Sequence, residues 1–86
     1  MEIFLVQCEY TIKDKGIFEV SQAGYSASYQ IAKEQLHKCI DEEKAEGNIP
    51  KDFYGWTSPK YEDEFLYETE NTRLLYYVCS VDSIVE

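Results

Sequence analysis

Basic residues are scarce in this chain. Eight lysines and arginines stand against seventeen aspartates and glutamates over 86 residues, for a net charge of −9. A surface of that sign repels nucleic-acid phosphates and anionic lipid, which argues against direct DNA or RNA binding and against peripheral membrane binding. Histidine occurs only at His37, so a Ser-His-Asp or Cys-His catalytic set has a single candidate base. No G-x-S-x-G, P-loop or G-x-G-x-x-G segment is present. The length excludes a doubly wound dinucleotide fold and a barrel enzyme. No apolar run approaches the ~18 residues of a membrane span. Met1–Val6 has no basic n-region and soon meets Glu9, which speaks against a signal peptide.

Cysteine is sparse and odd in number: Cys8, Cys39 and Cys79, with no C-x-x-C. Neither a zinc ribbon nor a thioredoxin-type motif can be built from these, and a disulfide framework would want an even count. Free thiols in a reducing cytoplasm are expected, each on an apolar face as a small core residue. His37 lies two residues from Cys39, ~200° around a helix, so the two cannot share a metal. No metal, no cofactor and no enzymatic activity are expected. Carboxylate pairs such as Glu62–Asp63 abound, but nothing in the sequence marks one with a raised pKa.

The patterning that is present describes one folded domain over residues 1–86. Apolar residues make up 44% of the chain, enough for a single core. Residues 3–12 alternate, with Phe4, Val6, Cys8, Tyr10 and Ile12 on one face and Ile3, Leu5, Gln7, Glu9 and Thr11 on the other. That is a strand, closed by a turn at Lys13–Gly16 and followed by a second strand over 17–23 that Gly24 ends. From about 27 to 46 the period becomes 3.6: Tyr29, Ala32, Leu36, Cys39 and Ile40 line one face of a helix. Ser26 or Ser28 caps its start, and Gly47-Asn48 with Pro50 ends it. A long connection over 48–64 holds both prolines and the only tryptophan, with a short helical turn near Lys51–Tyr54. Strands follow at 65–70 and 73–82. Both rows of the last one are partly apolar, which places it inside the sheet. Ser83–Glu86 either continue it or bend away. The expected fold is α+β: a single ββαββ domain, its four-stranded, mainly antiparallel sheet carrying one helix packed on one face.

Acidity is concentrated. Residues 1–40 carry five acids and four bases, whereas residues 41–86 carry twelve acids and four bases. Within the acidic half, aromatics alternate with acids: Phe53, Tyr54, Trp56, Tyr61, Phe65 and Tyr67 lie among Asp52, Glu62, Asp63, Glu64, Glu68 and Glu70. Phe53 and Trp56 suit pins for the long loop. Tyr and Trp also give stiff contact area, and carboxylates beside them suit Arg and Lys. In small size, strong acidity and lack of a catalytic set, the chain resembles the small inhibitors that phages and mobile elements make against host defence, such as anti-CRISPR and anti-restriction proteins. The resemblance implies a nucleic-acid mimic that occupies a basic surface of a partner protein or nucleoprotein complex. The candidate contacts are Asp41, Glu42, Glu46, Glu62, Asp63, Glu64, Glu68 and Glu70, with Tyr54, Trp56 and Tyr61 as anchors. The competing expectation is a self-associating structural or adaptor module. It would form a homodimer through an apolar sheet face made by Ile3, Leu5, Leu74, Tyr76 and Val78.

Overall fold

A computed structural model describes residues 2–82 of the chain. Five elements follow in order: β1 (Glu2–Ile12), β2 (Ile17–Ser26), α1 (Tyr29–Ala45), β3 (Glu64–Glu68) and β4 (Thr72–Asp82). The four strands form one antiparallel sheet in the order β2-β1-β4-β3. This is the ββαββ, α+β architecture expected from the sequence. The first and last strands pair at its centre over eleven residues each, so β4 is interior. Ser83–Glu86 lie outside the described residues.

Side-chain alternation along β1 decides the rest. Phe4, Val6, Cys8 and Tyr10 stand opposite Ser80, Val78, Tyr76 and Leu74 of β4. Phe65 and Tyr67 of β3 lie beside Tyr76 and Leu74 on the same face. Helix α1 lays Ala32, Leu36 and Ile40 on that row, and Val6, Ile49, Phe65 and Tyr76 complete the buried core. Fully burying a side chain of the Leu, Ile or Phe class contributes about 1.5–3 kcal/mol, and Leu36, Ile40, Ile49 and Phe65 are all essentially inaccessible.

The helix starts where Ser28, in an extended conformation, accepts a hydrogen bond from the Ile31 amide at 3.3 Å. Ser26 accepts in turn from the Ser28 amide at 3.0 Å, so both candidate caps are used, one behind the other. It stops in a Schellman motif: Gly47 N–H donates to Lys44 and Asn48 N–H to Glu43.

Several sequence expectations need correction. Gly24 does not end β2, which runs on to Ser26 through a bulge opposite Val6 and Gln7. The Gln35 side chain of the helix lies over Gly24: an added Cβ would meet its Oε1 at 2.7 Å, and the amide tip would have to swing aside. Strand β3 is shorter than expected and ends at Glu68. Thr69–Asn71 form a turn closed by Thr69 N–H to Thr72 O at 2.8 Å and a 2.7 Å contact between the two threonine hydroxyls. The expected helical turn at Lys51–Tyr54 is a single turn closed by Phe53 N–H to Pro50 O. The proposed apolar patch mixes two faces. Leu74, Tyr76 and Val78 face the helix, whereas Ile3 and Leu5 lie beside Val81 and Cys79 on the open face. Cys79 is accordingly not a core residue. Its thiol is half-buried on the open side, 3.7 Å from Gln7 Oε1.

Candidate binding surfaces

The connection between α1 and β3 is held to the core by aromatic rings. Phe53 meets the rings of Phe65 and Tyr67 edge-on at 5.8 and 4.9 Å, and Trp56 meets Phe65 edge-on at 5.1 Å. The other side of the Trp56 indole stacks on His37 of the helix, 4.3 Å between centroids and 23° between planes. His37 Nε2 donates to the Glu62 carbonyl at 3.0 Å, which fixes its tautomer and ties the loop to the helix a second time. The sole histidine is thus a structural clasp. Trp56 is pinned between ring neighbours and is half-buried there. Tyr54 and Tyr61 do point outward, 60% and 52% exposed.

The acids of Glu62–Glu64 diverge. Asp63 turns inward and accepts a 2.8 Å hydrogen bond from the Tyr29 hydroxyl at the start of the helix. Burial, reinforced by that carboxylate, pushes the Tyr29 hydroxyl up to about 12. Glu64 accepts from the Thr57 hydroxyl at 2.9 Å. Glu62 takes a left-handed backbone with φ 51°, which turns the chain back into β3. Asp63 and Glu64 therefore serve the fold.

The remaining candidate acids fall in separate places. Asp41 and Glu42 are exposed on diverging flanks of α1. Asp41 lines a groove with Gln30, His37 and Lys38, whereas Glu42 lines one with Ala23, Gln35 and Cys39 on the β2 side. Glu46 is exposed at the helix end. Glu68 pairs with Lys13 at 2.6 Å, and the lysine holds its carboxyl below the usual carboxylate range. Glu70 lies in the β3–β4 turn. The eleven candidate contacts do not make one continuous patch.

Sequence reasoning missed a concavity at the far end of the helix, where the long strands run past its C-terminus. Tyr10, Tyr67, Leu74, Thr69, Thr72, Asn48 and Glu43 enclose a cleft of about 420 Å³. The Glu43 carboxylate is half-buried there. It has one hydrogen bond, from the Asn48 amide at 2.9 Å, and among the described residues no ion-pair partner. The helix C-terminus adds its own negative end. Tyrosine rings beside a carboxylate suit an ammonium or guanidinium group. The available signal was that Glu43 continues the buried stripe, three residues after Ile40 and seven after Leu36.

Cys8 and Cys39 line the covered side of the sheet and the helix flank above it, and burial raises both thiols above their ordinary range. Burial also raises the Tyr76 hydroxyl, which meets Cys8. All three cysteines are free. Among the described residues no group of three or more His, Cys, Asp or Glu is placed to hold a metal, and no helix is long and apolar enough to cross a membrane. No protein-family profile, curated protein or solved structure matches this chain.

Proposed function

We propose that this chain is a small non-enzymatic inhibitor that occupies the basic, nucleic-acid-binding surface of a partner protein or nucleoprotein complex, of the anti-CRISPR or anti-restriction type. One observation carries the reading. Lys13–Glu68 is the only ion pair among the described residues, in a chain with seventeen acids. Most carboxylates of the helix and loop layer are thus uncompensated and available to a basic partner. Exposed Tyr54 and Tyr61 supply contact area beside them. The cleft around Glu43 gives a Lys or Arg of that partner a place to insert.

The reading is tested by capture from a lysate of the cells in which the protein acts, with parallel washes at about 0.1 M and about 0.5 M salt, where the Debye length falls from ~10 Å to under half that. The expected result is a nucleic-acid enzyme or defence complex held at low salt, released at high salt, and held less well by Glu43→Gln. Recovery of the chain alone at both salts, or of a partner indifferent to salt, overturns it.

A further inference from the structure

One face of the sheet carries the helix, and among the described residues no element covers the other. On the uncovered face, Phe18, Val20 and Tyr25 of β2 and Val81 of β4 are 59%, 51%, 66% and 43% exposed. The register makes them parts of one surface. Leu5 lies between Tyr25 and Cys79 across the strands, and Glu9 between Val20 and Leu75. Singly exposed apolar residues are ordinary, but a contiguous field of them on a monomer marks an interaction site.

The charge on this face points to the occupant. Among the acids of the described strands, the register places only Glu9, Glu64 and Glu68 here, and each is already engaged. Glu9 accepts from the Tyr77 hydroxyl at 2.7 Å, Glu64 from Thr57, and Glu68 pairs with Lys13. The face offers a basic partner no unengaged carboxylate, and Arg73 in the same row with Lys13 on Glu68 brings it close to charge balance, so a second copy of the face meets it with little repulsion. The area is sufficient. Strands of eleven, ten, eleven and five residues, at ~3.3 Å rise and ~4.8 Å spacing, make a face of ~590 Å². Two such faces together remove ~1,200 Å², the lower bound of a specific stable interface.

We infer that a second copy of this chain covers the open sheet face, sheet against sheet, in a two-fold dimer. Aligned sheet packing of this kind leaves both helix layers pointing outward. Each dimer then presents two acidic layers, and a partner with two basic sites is held by both at once. The inference does not depend on the identity or existence of that partner.

Sedimentation equilibrium of the purified chain over a wide concentration range, at low and high salt, tests it. The expected species is a dimer of 10.1 kDa chains that holds or tightens as salt rises, because screening relieves repulsion between two chains of −9. Leu75→Glu, on an interior strand, is expected to weaken the dimer at least about tenfold while the far-ultraviolet circular dichroism is retained. Val81→Lys, at a more exposed position of the same strand, gives the same readout should Leu75→Glu fail to fold. A chain that is monomeric at every concentration overturns the inference. So does a dimer that both folded variants leave intact, since that result belongs to pairing along the free edge of β2.

Discussion

Replacing Gly55 by alanine tests how the long connection is fastened to the sheet. Gly55 is buried beneath the loop's aromatic pins, and its carbonyl accepts from the Leu66 amide at 2.8 Å. A Cβ there would stand 2.5 Å from the Leu66 carbonyl oxygen, 2.7 Å from Phe53 Cε2 and 2.9 Å from Phe65 Cζ. The first neighbour is strand backbone and the other two are interlocked rings, so none can step aside cheaply. Overpacking of that kind costs about 1–3 kcal/mol, and three simultaneous contacts put it at the upper end, ~2–3 kcal/mol. A chain of this size has about 4–13 kcal/mol in all. Gly16→Ala is the control. Gly16 has φ 65° in the β1–β2 turn and nothing within 4 Å of an added Cβ, so only the left-handed backbone resists the change, at ~1 kcal/mol. Both variants gain alike from a less flexible unfolded chain, so that term drops out of the comparison. At about 4–8 °C per kcal/mol, thermal unfolding followed by circular dichroism should fall ~10–20 °C for Gly55→Ala and ~5 °C for Gly16→Ala. Equal losses would refute the packing of the loop on β3.

Other outcomes follow from the same contacts. Phe65→Ala should cost about 3–5 kcal/mol in urea unfolding and shift the Trp56 emission to the red, because it removes the ring that both Phe53 and Trp56 rest against. Ser28→Ala should cost roughly 0.5–1 kcal/mol through the lost helix cap. Alkaline pH should destabilise the protein. The Tyr29 hydroxyl, by burial and Asp63, and the Tyr77 hydroxyl, by its bond to Glu9, are pushed up to about 12 from an ordinary value near 10. Because the unfolded chain gives up these protons first, the stability these two hydroxyls contribute is level below about pH 10 and is lost between there and about pH 12. Tyr29→Phe should make that fall shallower in a pH series of thermal melts.

The hairpins and the helix were legible because alternation and the 3.6 period each leave one apolar row. Where two rows were apolar the sequence was silent. Leu75, Tyr77, Cys79 and Val81 resemble Leu74, Tyr76 and Val78 in character, and only pairing with β1 settles which row the helix covers. Gly24 read as a strand end because a glycine marks a turn as readily as it marks a side chain passing overhead; Gln35 makes it the latter. Among the candidate contacts, Glu62, Asp63 and Glu64 looked alike in a run. Asp63 is turned inward to Tyr29, from thirty-four residues earlier, and no local pattern carries that. Trp56 suits both a pin and an anchor by its sequence surroundings, and the stacking on His37, nineteen residues earlier, is carried by no local pattern.

The most direct measurement is the affinity of a captured partner for the wild-type chain and for Asp41→Asn/Glu42→Gln/Glu46→Gln, across a salt series. These three acids are exposed on the helix layer, and among the described residues only the Glu46 carboxylate accepts a hydrogen bond, a long one of 3.4 Å from Asn48, so neutralising them should leave the fold alone. The account predicts binding at least about tenfold weaker at low salt, converging with wild type as salt rises, and a flatter dependence of affinity on salt. Equal affinity and equal salt dependence for the two proteins would contradict it.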